Sequence, residues 1–270
     1  MSYLPLLLPR LFAFFRSDLT ETNASPKDGW LSFEEVPLKW HLPAGLLYDL
    51  YSGTSGHSQD NNDKGHTHSP FEDEERMVES LPWKLTLHFT NWPSEQLTKL
   101  DSEGKILQDA FMNSVKEASH VRHDSGQVVM SLGKDESIQL WTAVEKNDLH
   151  LFNAMNKKLL RPPGIALRHI PLKVYLPSTP PSDSESTPSA GHMKVVQSLI
   201  TPNMSSRQPQ TLGTALNFLL PTLFPSRRSP LLALPVLHGA VVPLGVNLEE
   251  LAEFCAYADG FLHIAVVMMG

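Results

Sequence analysis

Nineteen residues, Lys105–His123, read KILQDAFMNSVKEASHVRH and constrain this chain more than any other stretch. At about 100° per residue, Ile106, Leu107, Ala110, Phe111, Ser114, Ala118 and Val121 gather on one broad face. Lys105, Asp109, Asn113, Lys116, His120 and His123 gather on the other. Such a helix needs a core under its apolar side and water over the rest. Lys116 points nearly opposite the centre of the apolar stripe, so its amine is expected in solvent on an anchored element. Taken by itself this is the ordinary state of a surface lysine.

The flanking segments place that helix inside a small helical unit. Ile138–Glu145 follows an acidic start at Asp135-Glu136-Ser137, and Leu149–Leu160 follows a cap at Asn147 or Asp148. Arg161-Pro162-Pro163-Gly164 then stops the helices. Residues 105–163 therefore read as a helix-rich domain.

On either side the pattern turns to strands. Residues 1–100 open with an apolar helix, Tyr3–Ser17, carrying Leu7, Leu8, Leu11, Phe12, Phe14 and Phe15. It is too apolar to stand alone and should pack on a sheet. Trp30–Phe33 is a short strand candidate. Pro37–Leu50 runs extended and turns at Pro43 into a helix, Ala44–Tyr51. Leu81–Phe89 alternates Leu85, Leu87 and Phe89 against Lys84, Thr86 and His88, the mark of a half-buried strand. Between these lies Ser52–Ser80, polar and poor in large apolar residues, which reads as a disordered insertion. His57, His66 and His68 fall in it without a fixed metal-ligand spacing.

Residues 165–270 give a strand over Ile165–Leu176, with Pro171 marking an edge or bulge. A polar loop, 177–192, leads to a returning strand over Lys194–Ile200. A helix follows over Thr211–Leu220, then a strand over Leu231–Leu237. Asn247 caps a helix to Ala256, and Phe261–Val267 is a last, nearly continuous apolar strand. Strand, strand, helix, strand, helix, strand is the order of a ubiquitin-like roll.

Composition removes several classes. The formal net charge of −7 argues against a nucleic-acid partner. The single cysteine excludes an internal disulfide and a cysteine-based zinc site. Cys255 shares a helix face with Leu248 and Leu251, which marks it as a small core residue rather than a nucleophile. No apolar run reaches the ~20 residues needed to cross a bilayer, so the chain is expected to be soluble or peripheral. No Gly-rich phosphate loop, metal spacing or nucleophile elbow is visible, and no cofactor is expected.

Several stretches, in order and spacing, resemble the autophagy protein 5 family. They are SYLPLLLPRLFAFF, FEEVPLKWHLPAGLLYDL, LPWKLTLHF, DAFMNSVKEASHVRH, IQLWTAVEKNDLHLFNAMNKKLL and FLHIAVV. The resemblance is to a fungal-type member with a shortened N-terminus. It implies an α+β chain with two ubiquitin-like (β-grasp) domains flanking a helix-rich domain. The family carries a helix and a strand pair ahead of the SYLPLLLPR segment. The first domain is accordingly expected to lack its N-terminal strands, to leave Leu85–Phe89 without a neighbour, and to be sticky.

The resemblance also implies a role for Lys116, which lies in the segment matching the family's acceptor lysine. Lys116 is then joined by an isopeptide bond to the C-terminal glycine of the ubiquitin-like autophagy protein 12. Autophagy proteins 7 and 10 carry out that chemistry. The conjugate binds autophagy protein 16 and promotes transfer of autophagy protein 8 from autophagy protein 3 onto phosphatidylethanolamine. Such a chain is a non-enzymatic acceptor and scaffold, cytoplasmic and peripheral at the preautophagosomal membrane. Two alternatives come from other classes. One is a ubiquitin-like modifier conjugated through Gly270, or a non-covalent adaptor. The other is an enzyme using Cys255 or the histidines. The end Met268-Met269-Gly270 lacks a flexible Gly-Gly tail, which weighs against a modifier.

Overall fold

Five strands from the last hundred residues form the larger of two sheets, in the order β5-β4-β8-β6-β7. They are β4 (Leu172–Pro177), β5 (Met193–Gln197), β6 (Ala233–Leu237), β7 (Ala240–Val241) and β8 (Leu262–Met268). The chain, a computed structural model, is described over residues 2–19, 23–52, 82–101, 103–177, 193–204 and 207–269. The expectations for Ser52–Ser80 and for the loop 177–192 fall almost wholly outside those residues, as do His57, His66 and His68.

The central pair decides the topology. β4 and β8 run parallel, with Val174 opposite Ile264, while β4–β5, β6–β7 and β6–β8 are antiparallel. Leu262, Ile264 and Val266 on one face and His263 and Ala265 on the other are all buried, as a central strand with both faces covered requires. Helix α7 (Leu212–Leu219) begins at Thr211, whose hydroxyl accepts from the Thr214 amide. It sinks Leu212, Ala215 and Leu216 against the sheet. This is the expected ubiquitin-like roll.

The first strand of the roll is shorter than the expected Ile165–Leu176. Ile170 makes only an isolated bridge to Ile200, and regular pairing starts at Leu172. Pro171 has no amide to give and instead accepts from Leu262 N at 2.8 Å. Upstream, Arg168 N donates to the Arg122 carbonyl rather than to a strand.

Ahead of the helices, β1 (Trp30–Phe33), β2 (Val36–Pro37) and β3 (Thr86–His88) make a three-stranded sheet in the order β2-β1-β3. This corrects the expectation that Leu85–Phe89 loses its neighbour. β3 pairs with β1, Trp30 opposite His88 and Leu31 opposite Leu87. The Trp30 and His88 rings stack at 3.9 Å, and Ser32 Oγ lies 2.8 Å from His88 Nε2. At the start of the chain, a 3-10 turn (Leu4–Leu7) precedes helix α1 (Leu8–Phe15). Its beginning is buried through Tyr3, Leu4 and Leu8, whereas Phe14 is 77% exposed.

The first and last regions share one core. Helix α2 (Ala44–Ser52) buries Leu46 and Leu47 completely, and they belong to the same cluster as Ile170, Val174, Leu216 and Ile264. Asp49 of α2, 0% exposed, accepts from Gly239 N at 2.6 Å and lies 3.5 Å from the Tyr257 hydroxyl. It thereby holds the β6–β7 turn, whose His238 and Gly239 both have positive φ. Burial pushes its carboxyl up to about 6, against the pull of its backbone hydrogen bonds.

The second core belongs to the helices: α3 (Lys105–His123), α4 (Gln127–Met130), α5 (Lys134–Glu145) and α6 (Leu149–Leu160). Phe111, Leu140, Trp141 and Phe152 fill it, joined by Tyr3 and Trp40 from the first region. Asp148 caps α6 by accepting from Leu151 N at 2.9 Å.

Candidate functional site

Helix α3 is held at both ends by its own sequence. Asp101 accepts from the amides of Lys105 and Ile106, both at 3.0 Å, which satisfies two donors of the first turn. Those hydrogen bonds hold its carboxyl below the usual range. At the other end Asp124 turns left-handed (φ 54°) and its amide returns to the His120 carbonyl at 2.8 Å. His120, Arg122 and His123 occupy the last turn, where positive charge suits the helix dipole.

Between these ends α3 buries Leu107, Phe111, Met112, Val115, Ala118 and Val121. Each large side chain contributes roughly 1.5–3 kcal/mol of burial, enough to fix the helix rigidly. Lys105, Asp109, Asn113, Lys116 and His120 are exposed as expected. Lys116 makes no hydrogen bond or ion pair among the described residues. Its amine stands free on a braced helix.

His123 departs from its expected place on the wet face. It is 5% exposed, and its Nε2 donates to the Leu159 carbonyl at 2.8 Å, because the C-terminal end of α6 folds over it. Arg122 is buried beside it, and burial brings its guanidinium down to about 10. Neither its Nη2 nor the buried Ser119 Oγ has a partner among the described residues.

The two residues flanking Lys116 on the side of the large sheet are tied to that sheet. Glu117 accepts from Lys173 Nζ of β4 at 2.8 Å and from Gln197 Nε2 of β5 at 3.2 Å. Lys173 also lies over the Phe261 ring, 3.8 Å from its centre. Ser114 Oγ donates to Asp259 at 2.7 Å, and Asp259 also receives Phe261 N at 3.1 Å and His263 Nε2 at 2.9 Å. Burial pushes the Asp259 carboxyl up, but the His263 ring and the three hydrogen bonds outweigh it and hold the carboxyl below the usual range. Tyr175 completes the chain, its hydroxyl 2.9 Å from His263 Nδ1. The turn before β8 comes so close to α3 that a Cβ on Gly260 (φ +88°) would stand 3.2 Å from the Ala118 Cβ.

Beside this clamp lies a cleft of about 440 Å³ where the three regions meet. Lys39 and His41 enter it from the first region, Asn113 and Glu117 from α3, Lys173 and Gln197 from the sheet. Burial, Lys39 and Lys173 together hold the His41 imidazole below its ordinary range. Cys255 is half-buried at the end of helix α8 (Leu248–Phe254) and packs on the core it was expected to join. Among the described residues no group of three His, Cys, Asp or Glu is arranged to hold a metal ion. No helix among them is long and apolar enough to cross a membrane.

Three family models cover the chain in the same order as its three regions. "Autophagy protein ATG5, UblA domain" matches residues 1–89, the family's alpha-helical bundle region matches 104–162, and its UblB domain matches 169–266. The chain belongs to the autophagy protein 5 family. Autophagy protein 5 of Phaeosphaeria nodorum is 50% identical over all 270 residues, which span 86% of that protein. The Neosartorya fischeri protein of the same name is 47% identical over 287 aligned positions, covering all of this chain and 84% of that one. A crystal structure of Kluyveromyces marxianus Atg5 superposes with a TM-score of 0.69, covering 98% of this chain and 83% of that one. At 17% identity that likeness speaks to the fold, two ubiquitin-like units about a helical bundle.

Helical spacing placed Lys116 in solvent and the family resemblance singled it out; neither reached Glu117, Ser114, Asp259 or His263. Their pairing depends on residues far apart in the chain, and no local periodicity carries it.

Proposed function

We propose that this family member acts in autophagy as a non-enzymatic acceptor and scaffold, with Lys116 as the point of covalent attachment. The observation that carries the reading is a free, exposed Lys116 amine on a rigid helix, in the segment that resembles the family's acceptor site. In the reaction, the amine nitrogen attacks the thioester carbonyl that joins the C-terminal glycine of autophagy protein 12 to its conjugating enzyme. A C–N bond forms, the C–S bond breaks, and the cysteine thiolate leaves. The amine proton passes to the charging enzyme or to solvent. A nucleophile of this kind must be the free amine, and the enzyme side supplies the deprotonation. The acceptor contributes position: an accessible amine on a braced helix, with no partner among the described residues to leave before it reacts.

On this reading autophagy proteins 7 and 10 charge the modifier. The product binds autophagy protein 16 and assists transfer of autophagy protein 8 from autophagy protein 3 to phosphatidylethanolamine. The chain works peripherally at the preautophagosomal membrane and in the cytoplasm, and needs no cofactor.

The test is Lys116→Arg. Arginine keeps the charge and the helix propensity but presents a guanidinium that stays protonated. The expected outcome is an unchanged fold and complete loss of the conjugate, with a branched peptide at Lys116 present only in the parent protein by mass spectrometry. A conjugate of parental abundance in the variant would falsify the assignment.

A further inference from the structure

Nothing in the attachment chemistry requires the two residues beside Lys116 to reach the C-terminal sheet, yet both do. Ser114 and Glu117 lie two residues before and one residue after Lys116, on the flank of α3 that faces β4, β5 and the turn at Asp259. Each ends on a different strand or turn of the last region. Ser114, itself half-buried, meets Asp259 at 2.7 Å, and Asp259 belongs to a buried network with His263 and Tyr175. Glu117 meets Lys173 at 2.8 Å and Gln197 at 3.2 Å.

Lys173 is nearly covered, its side chain 15% exposed, while Glu117 is about half open. A surface ion pair of this kind adds little to stability, because solvent screens it and ordering two long side chains costs entropy. Its geometry is another matter. Lys173 lies over the Phe261 ring, its ammonium 3.8 Å from the ring centre, which favours the position that meets Glu117. Gln197 approaches the second carboxylate oxygen from the neighbouring strand. The carboxylate is gripped through both oxygens by two strands of the sheet. A rotation of α3 about its axis swings the Lys116 amine and must stretch this grip and the Ser114 bond, since all three residues ride on the same helix.

We infer that Glu117, acting through Lys173 and Gln197, is a positioning residue that sets the direction of the Lys116 amine. The C-terminal ubiquitin-like region thereby orients the acceptor although, among the described residues, it makes no hydrogen bond or ion pair with it. This inference rests on Lys116 being the acceptor. Misplacing a reacting atom by about 1 Å costs up to roughly a hundred-fold in rate, so a lost brace reads out in the chemical step before it reads out in folding.

The experiment is single-turnover transfer of autophagy protein 12 from its charged conjugating enzyme to the full chain, at saturating acceptor. The chains are the parent, Glu117→Gln, Lys173→Met, the double variant and Lys116→Arg. Each single variant is expected to slow the transfer about five-fold, with thermal unfolding and half-saturating concentration unchanged. The double variant should be no slower than the slower single, because both remove the same brace. Parental rates in Glu117→Gln overturn the inference. So do single effects that multiply in the double, and so does a slowing that appears only as a raised half-saturating concentration, since Glu117 then touches the enzyme rather than the sheet. Transfer to Lys116→Arg at the parental rate overturns the acceptor reading itself, whatever the Glu117 variants do.

Discussion

The two ubiquitin-like regions of this chain are built to different standards. The C-terminal one has five strands, a parallel central pair and a helix laid across it. The N-terminal one has, among the described residues, three strands of two to four residues, and its helix α2 packs chiefly on β8 and β6 of the other region, meeting its own sheet where the Tyr51 ring lies 6.2 Å from the Phe33 ring. A small sheet with so few residues buries too little surface to stand alone. It is stable as part of a core that the C-terminal region supplies. Two copies of one kind of domain in a chain need not be two independent folding units.

That comparison can be broken at the shared core. Ile264 is 0% exposed in the middle of β8 and touches residues of both regions' common cluster. Ile264→Asp places an unpaired carboxylate there and is expected to cost several kcal/mol, close to the whole stability of a domain of this size. Both sheets should lose amide protection together. Loss confined to the C-terminal sheet, with β1–β3 still protected, would show that the first region folds without it.

Leu47→Ala approaches the same question from the other side. Leu47 is 0% exposed on α2, and its truncation is expected to cost about 2–5 kcal/mol. If the core is shared, the thermal transition stays single and moves down as a whole. A split transition, with the C-terminal region melting at its parental temperature, would mean that α2 stabilises only the N-terminal region.

How much of this was legible beforehand follows the range over which each signal acts. Helix α3, and α6 from Leu149 to Leu160, stand where the apolar spacing put them, because helix periodicity and capping are local. Strand ends were less legible. The amide of Arg168 spends its hydrogen bond on the Arg122 carbonyl, so the strand expected from Ile165 begins at Leu172. The two-residue β7 and the single turn of α4 are too short to carry a period. At the site, the exposure of Lys116 followed from its helical angle. The burial of His123 did not, since it is α6 arriving from 36 residues away that covers it. The partners of Glu117 lie 56 and 80 residues off, beyond any pattern in the helix itself.

A gentler change sharpens the contact between the regions through pH. Asp49 of α2 reaches the β6–β7 turn as a carboxylate raised to about 6 by burial. The native state therefore binds more protons than the unfolded chain between about pH 4 and pH 6. Stability from this group is full below the ordinary carboxylate range and is lost as pH rises through about 6. The shift corresponds to something on the order of 2–3 kcal/mol. Asp49→Asn retains an acceptor for the Gly239 amide and has no charge to bury. Denaturant unfolding at pH 4.5 and pH 7 should show the parent losing ground relative to the variant as pH rises. The same difference at both values would mean that Asp49 is not titrating at this junction.

The smallest expected effect belongs to the least integrated element. Helix α1 buries Leu8 but leaves Phe14 77% and Phe15 39% exposed, the two rings meeting each other edge to face at 4.8 Å. Phe12 packs beside the end of β3, its ring 5.4 Å from that of Phe89. A side chain in water returns nothing to the fold when it is removed. Phe14→Ser should therefore change the unfolding free energy by no more than about 0.5 kcal/mol, in contrast to Leu47→Ala in the shared core. What it should change is association between molecules. Adjacent exposed aromatics form an apolar patch that draws chains together, and the variant is expected to show weaker concentration-dependent light scattering than the parent. A loss of more than about 1 kcal/mol would mean that Phe14 is packed in solution. The N-terminal region would then bury more than its described contacts account for, and the contrast with the C-terminal region would narrow.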